Sequence, residues 1–223
     1  MVDLTLDGLG NIRAQKDRRG NSSTAEYDPV LGLPTQVTDR LGNITYYNYD
    51  RNGNITLITY ADGSSTSYAY DGAGRLVSIT AQNGLVTNLS YDGNGNLTQI
   101  TDDETRVYTY TYDHNNQLVL AVDPLGGETR FSYDGAGNQT AVTDANGNTT
   151  NYGYDAVGRL TEIQDALDGV TSTIYDLNGR PTSATDANGH TDTYYYNEIG
   201  ELLAQTDAMG YGILGHYHKW LIE

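Results

Sequence analysis

The sequence predicts an all-β protein: an antiparallel β-meander of repeats about 21 residues long, wound into a curled or spiral sheet. A Tyr-Asp pair recurs every 21 residues through most of the 223-residue chain. Each pair is followed by a turn that contains glycine, and the segments between turns are short and rich in β-branched and aromatic residues. Strands joined by tight turns leave no room for helices, so consecutive strands are expected to pair antiparallel.

The Tyr-Asp pairs set the repeat frame. The signature positions, all interpreted as structural, are Tyr49, Asp50, Gly53, Tyr70, Asp71, Gly74, Tyr91, Asp92, Gly95, Tyr112, Asp113, Tyr133, Asp134, Gly137, Tyr154, Asp155, Gly158, Tyr175, Asp176, Gly179, Tyr196 and Gly200. The frame extends back to Tyr27 and Leu6 and forward to Tyr217. We therefore expect a single array of about ten repeats over residues 1–217, followed by a divergent tail over residues 218–223.

Each repeat carries two turn signals of the form Asp-x-x-Gly. In the first turn, Asn116 replaces the glycine once. Asn and Gly are the residues that most readily adopt a positive φ, so this exchange indicates a backbone requirement. The second signal slips by one residue at Asp168-Gly169 and is lost at Thr105. A single extra residue between Tyr27 and Tyr49 is placed in the loop 28–32, since loops tolerate insertions that strands do not.

Two strands per repeat follow from the spacing. In the first strand, aromatic residues two apart should share one face, as in Tyr47/Tyr49, Tyr68/Tyr70, Tyr110/Tyr112, Phe131/Tyr133 and Tyr194/Tyr196. In the second strand, the same alternation predicts that Val77/Ile79, Thr98/Ile100 and Thr161/Ile163 share a face. The sequence thus predicts a continuous row of Tyr side chains across the sheet.

Composition restricts the function classes. Hydrophobic residues make up 37% of the chain, and twenty are Tyr, against one Phe and one Trp, so an oily interior is not expected. The formal charge of −17 repels phosphate and argues against nucleic acid as a partner. No apolar run suits membrane insertion, and the first residues do not predict a signal peptide. The chain contains no Cys.

The phrase Tyr-Asp-x-x-Gly-Arg/Asn-Leu, followed by Thr-Asp-x-x-Gly-Asn-x-Thr, resembles the YD repeat of the Rhs (rearrangement hotspot) family. Gly74-Arg75-Leu76, Gly158-Arg159-Leu160 and Thr143-Asp144 carry it. The family includes bacterial Rhs polymorphic toxins, insecticidal toxin-complex components and animal teneurins. The resemblance implies a β-sheet shell around a C-terminal toxin cargo or partner subunit, and a secreted or cell-surface location. The autoprotease segment and the toxin domain of the family have no counterpart in this sequence, which is expected to be a fragment or a truncated gene.

Size limits what the array can enclose. Twenty strands at about 4.8 Å give a ring roughly 95 Å around and roughly 30 Å across, whereas a 100-residue cargo has a radius of gyration of about 13 Å. Side chains alone would nearly fill that ring. The chain is therefore expected to form one winding of a shell, and its sheet edges are expected to pair with other repeats or with a second copy.

The leading interpretation is a non-enzymatic structural segment with no cofactor and no bound metal. One alternative is a carbohydrate or cell-surface binding module that uses the Tyr-rich strand faces; another is a truncated remnant without an independent function. Calcium at the Asp-rich turns is weighed against ordinary turn capping, which the spacing favours. His216 and His218 are too few for a metal site. No catalytic motif stands outside the repeat pattern.

Overall fold

The computed structural model describes residues 3–209 and 212–214, which contain 21 β-strands and no helix. The strands are β1 (Asp3–Leu6), β2 (Ile12–Lys16), β3 (Ser22–Tyr27), β4 (Pro34–Thr38), β5 (Ile44–Tyr49), β6 (Ile55–Thr59), β7 (Ser65–Tyr70), β8 (Leu76–Thr80), β9 (Val86–Tyr91), β10 (Leu97–Thr101), β11 (Val107–Tyr112), β12 (Leu118–Val122), β13 (Glu128–Tyr133), β14 (Gln139–Thr143), β15 (Thr149–Tyr154), β16 (Leu160–Gln164), β17 (Val170–Tyr175), β18 (Pro181–Thr185), β19 (Thr191–Tyr196), β20 (Leu202–Thr206) and β21 (Gly212–Leu214). The all-β class is confirmed. The repeat at Tyr217 lies outside the described residues.

The chain divides into two compact units, Met1–Thr109 and Tyr110–Glu223. In the first unit, each strand from β1 to β10 pairs antiparallel with the next strand in sequence. In the second unit, the strands from β12 to β21 follow the same rule. Each unit is therefore an antiparallel meander, as the tight turns between short strands predict.

A β-bulge recurs in most repeats, where the second strand leaves its hairpin turn. In the hairpin of β7 and β8, Tyr70 lies opposite Leu76 and Ala69 lies opposite Ser78, which leaves Val77 as the extra residue. The same shift interrupts the register of β9/β10 and β15/β16. The alternation expected for Val77/Ile79, Thr98/Ile100 and Thr161/Ile163 stays a prediction, because the first residue of each pair is the unpaired extra residue of its bulge.

Because of the bulge, two second-strand residues that are three apart lie opposite two tyrosines that are two apart. Tyr68 lies opposite Ile79 and Tyr70 lies opposite Leu76. Directly opposed residues share a face, so this face of the β7/β8 hairpin combines two aromatic and two aliphatic side chains. We call it the Tyr face. The first strands alternate as predicted, since Tyr47 and Tyr49 are half-buried whereas the adjacent Tyr46 and Asn48 are exposed.

No described side chain is fully buried. The strands nevertheless show an ordered difference between their two faces, with the Tyr face mostly half-buried and the opposite face more exposed. Within each unit, stability must come from contacts along the sheet rather than from an apolar core. Turn capping and cross-strand contacts therefore carry more of the folding free energy than in an ordinary globular domain.

Three of the described turns depart from the Asp-x-x-Gly signal at its glycine position. Asn116 has φ 63°, so the prediction of a positive φ at that position is confirmed. At Asp168-Gly169, where the signal slips by one residue, the turn keeps its place, because Asp168 itself takes the positive φ of 64° and its N–H donates to the Asp165 carbonyl at 3.1 Å. At Thr105, where the signal is lost, the turn is also kept. Thr105 adopts φ 61° and keeps the turn bond to Asp102, so the fold imposes the turn on an unfavourable residue.

The extra residue of the second repeat lies where the sequence places it. The strands on either side end at Tyr27 and begin at Pro34, and those two residues pair. The longer loop is closed by the bond from the Gly32 N–H to the Asp28 carbonyl at 2.9 Å. The insertion therefore leaves both strands in register, and this prediction is confirmed.

Candidate functional site

In most first turns the signature aspartate closes the turn with both carboxylate oxygens. At Asp50, Oδ1 accepts the N–H of Asn52 and the N–H of Asn54, both at 2.9 Å. Oδ2 accepts the side-chain Nδ2 of Asn54 at 2.9 Å. Gly53 adopts φ 87° so that its N–H can reach the Asp50 carbonyl at 3.2 Å. One carboxylate thus satisfies the backbone donors that the reversal leaves unpaired.

These bonds to the charged carboxylate lower the pKa of the capping aspartates. For Asp50 the first cause is the Asn54 side-chain hydrogen bond, and for Asp71 it is the backbone N–H of Arg75. Capping residues throughout the array share this lowered pKa: Asp7, Asp17, Asp28, Asp39, Asp92, Asp134, Asp144, Asp155, Asp176 and Asp186. The caps are therefore ionised across the neutral range.

The signature tyrosine joins one hairpin to the hairpin before it. The Tyr70 hydroxyl donates to the carbonyl of Ile55, fifteen residues earlier, at 2.9 Å. Six further tyrosines repeat this bond at the same separation and at 2.7–2.9 Å, namely Tyr27, Tyr49, Tyr91, Tyr133, Tyr154 and Tyr175. Each accepting carbonyl belongs to the first residue of a second strand, beside its bulge. We call these bonds the tyrosine ladder.

The tyrosine ladder supplies a hydrogen bond to a backbone carbonyl beside each bulge. The pairing of β6 with β7 runs only from Leu57 to Thr59, so Ile55 lies before the paired stretch. The carbonyl of Ile55 therefore needs a hydrogen-bond donor other than a strand N–H, and the Tyr70 hydroxyl is that donor. Desolvation by neighbouring groups raises the pKa of Tyr49 and Tyr70, which keeps both hydroxyls protonated as donors.

In three repeats an arginine adds a second link between hairpins. Arg159 Nε donates to Asp155 Oδ2 at 2.6 Å, and its Nη1 donates to the Asp176 carbonyl, in the first turn of the next repeat, at 2.8 Å. The guanidinium also lies over the Tyr175 ring, 4.8 Å from its centre. Arg75 and Arg180 make the equivalent three contacts. We call these the arginine clamps.

Two of the clamps act in series. Asp176 receives Arg159 on its carbonyl and Arg180 on its carboxylate, while Arg180 reaches on to the carbonyl of Asn197. The guanidinium suits this role because its planar donors can bind a carboxylate and a carbonyl at once while its face covers an aromatic ring. Three consecutive turns of the second unit are thereby tied together.

The structure therefore brings the predicted signature residues together as linked turns. The tyrosine ladder explains why the residue before each Asp is Tyr rather than Phe. Sequence reasoning missed the arginine clamps and the bulge. The signal for the clamps was the exchange of Arg for Asn directly after the turn glycine, as at Arg75 and Asn96.

The geometry offers little for bound metals or sugars along this row. Among the residues that the structure describes, no three His, Asp or Glu side chains come together as a metal-binding group. The ladder hydroxyls donate their protons to backbone carbonyls, so those protons are not available to bind a sugar. In the same part of the chain, no helix is long and apolar enough to cross a membrane.

The fold and its turn chemistry define a class: antiparallel β-repeat proteins whose hairpins are linked through Tyr-Asp turns. The family model described as Teneurin YD-shell matches residues 16–211. The chain belongs to this YD-shell family, and the resemblance to YD/Rhs repeats is confirmed. A search of curated proteins finds no match.

Solved structures support the same fold. The crystal structure of TcdB2-TccC3 without its hypervariable C-terminal region is similar with a TM-score of 0.64 and 17% identity, covering 91% of this chain and 14% of that one. The crystal structure of TcdB2-TccC3-TEV gives 0.59 and 18% identity, covering 92% and 13%. The Photorhabdus luminescens Tc holotoxin pore gives 0.53 and 16% identity, covering 92% and 15%. This chain thus spans about one seventh of the structures that it resembles, as a segment of the YD-shell type.

Proposed function

We propose that this chain is a wall segment of a YD-repeat shell that encloses a polypeptide cargo, and that its role is structural rather than catalytic. The observation that most supports this proposal is the tyrosine ladder, in which the same hydroxyl-to-carbonyl bond recurs at a fixed separation of fifteen residues. Residues committed to backbone contacts in every repeat are suited to building a wall. A catalytic site would require side chains released from that pattern.

The two faces of the strands suggest how such a wall is oriented. The Tyr face carries half-buried aromatic and aliphatic side chains, whereas the opposite face of β13 carries the exposed Glu128, Arg130 and Ser132. We assign the Tyr face to the lumen and the polar face to bulk water. A lumen lined by Tyr offers apolar rings with few free hydroxyls, and such a surface would tolerate a cargo without binding it tightly.

Partners and location follow from this role. The wall would be completed by further YD repeats, from the same longer chain or from a partner subunit, and the cargo would be a toxin domain of the kind found in the family. Shells of this type act outside the cell that makes them, so we place the protein in a secreted or cell-surface assembly.

A chimeric shell tests the proposal. Residues 16–211 would replace the matched segment of TcdB2-TccC3, with a protease-sensitive polypeptide attached as the C-terminal cargo. Protection of the cargo against added protease, equal to that in the parent shell, is the expected result. A chimera that assembles with normal β-sheet content but leaves its cargo open to the protease would reject the wall assignment.

A further inference from the structure

One second turn lacks the carboxylate that caps most of the others. In the loop 81–85, Ala81 stands where most repeats have Asp. The hairpin still closes, because the Ala81 N–H donates to the Leu85 carbonyl at 2.8 Å and the Gly84 N–H donates to the Ala81 carbonyl at 2.9 Å. The N–H of Leu85, which a capping aspartate would accept, is instead accepted by Oδ1 of Asn83 at 3.2 Å.

This contact folds the Asn83 side chain back over the peptide that follows it. This would bring its Cγ toward the backbone nitrogen of Gly84, where glycine offers no side chain to block the approach. The Leu85 N–H also donates to the oxygen that would gain negative charge if that nitrogen attacked Cγ. Asn83 is exposed, so water has access to the product.

Five other Asn-Gly pairs share the turn but not this arrangement. At Asn52-Gly53 the corresponding N–H, that of Asn54, is held by Asp50 Oδ1 at 2.9 Å. The matching N–H is likewise held by a capping aspartate at 2.8–2.9 Å after Asn94, Asn146, Asn178 and Asn188. In these five loops the aspartate has already taken the donor that the asparagine side chain would need.

A second uncapped loop shows the same rearrangement. Tyr60 replaces the capping residue, and the Ser64 N–H donates to Oδ1 of Asp62 at 2.9 Å. Asp62 also precedes a glycine, Gly63. Loss of the cap therefore has the same structural consequence in two loops.

We propose that Asn83 is a site of spontaneous backbone modification, and that the capping aspartates protect the other Asn-Gly pairs. The Gly84 nitrogen loses its proton and forms a bond to Asn83 Cγ, and the side-chain amide leaves as ammonia to give a succinimide. Water then opens the ring to isoaspartate or aspartate. The product carries a new negative charge, and isoaspartate also lengthens the main chain of the turn by one methylene group.

The turn bond from the Gly84 N–H to Ala81 slows the attack, but every Asn-Gly loop has the equivalent bond, so it does not alter the ranking among them. The difference rests on one hydrogen bond to the cap. Loss of such a bond changes the population of the reactive arrangement by about threefold to tenfold, which is the expected ratio of the Asn83 rate to the Asn52 rate.

Peptide mapping by mass spectrometry tests this on the full chain, incubated folded in mildly alkaline buffer. Asn83 should be converted about threefold to tenfold faster than Asn52, Asn146, Asn178 or Asn188. The variant Ala81→Asp should slow Asn83 to the rate of those sites, whereas Gln82→Asp, which adds the same charge without the cap position, should not. In denaturant the rates should converge, since the ranking comes from the folded turns.

The reverse variant separates protection from local sequence. Asp50→Ala frees the Asn54 N–H and should raise the Asn52 rate by a similar factor, with circular dichroism confirming that the variant remains folded. Equal rates at Asn83 and Asn52 in the folded chain would overturn the proposal. So would an Ala81→Asp variant in which Asn83 reacts as fast as before.

Discussion

Removal of one ladder hydroxyl should cost a measurable part of the stability of the second unit. The variant Tyr133→Phe keeps the aromatic ring but deletes the donor to the Leu118 carbonyl, a bond of 2.9 Å between half-buried groups. A neutral hydrogen bond contributes about 0.5–1.5 kcal/mol, and water can partly replace it at a half-buried site, so the lower half of that range applies. We expect a loss of about 0.5–1 kcal/mol in the free energy of unfolding.

Urea unfolding followed by circular dichroism measures this loss, with Tyr195→Phe as the matched control. Tyr195 lies on the opposite face and is 56% exposed, so its hydroxyl is free to bond to water. The double variant Tyr133→Phe/Tyr154→Phe should lose about 1–2 kcal/mol, because the contacts between neighbouring repeats add. An equal loss from Tyr195→Phe, or no loss from the double variant, would refute the reasoning.

Three further results are expected. Arg159→Ala should lower the unfolding free energy by about 1–2 kcal/mol, because it removes a ring contact and two hydrogen bonds. In the same urea assay the control Arg130→Ala should change it by less than about 0.5 kcal/mol, because it breaks only an exposed ion pair. Thr105→Gly should raise the thermal midpoint, because glycine relieves a β-branched residue at φ 61°, while Gly126→Ala at φ 84° should lower it; the opposite signs would contradict the turn geometry. Stability should be constant near neutral pH and should fall as the pH drops below the ordinary aspartate pKa of 3.8. The pKa of capping aspartates such as Asp50 is lowered in the folded chain, so protonation favours the unfolded chain. A urea midpoint that rises on acidification would contradict this.

The repeat frame and the strand count were predictable because the sheet is built from local rules. A Tyr-Asp pair every 21 residues defines two turns, and the chain between two turns can only be a short strand. The substitution of Asn116 for glycine was also readable, since few residues accept a positive φ. These features depend on a handful of neighbouring residues.

The features that the sequence pattern does not reveal depend on the neighbouring strands and hairpins. Asp168 and Thr105 hold a positive φ because the strands on either side fix the turn length, which overrides the preference of the turn residue itself. The bulge at Val77 is not predictable from the sequence, because the alternation of residue types along one strand does not show a register shift between two strands. The clamp of Arg159 joins residues seventeen positions apart, and only the folded sheet brings them together.

Cysteine labelling in the chimeric shell tests the central claim most directly, since this chain has no native Cys. Thr66→Cys places a thiol on the Tyr face of β7, and Ser65→Cys places one on the opposite face at the adjacent residue. In a background without other reactive thiols, a bulky maleimide should label Ser65→Cys in the intact shell and should label Thr66→Cys only after the shell is opened with denaturant. Equal labelling of the two positions in the intact shell would contradict the assignment of this chain as a wall whose Tyr face encloses the cargo.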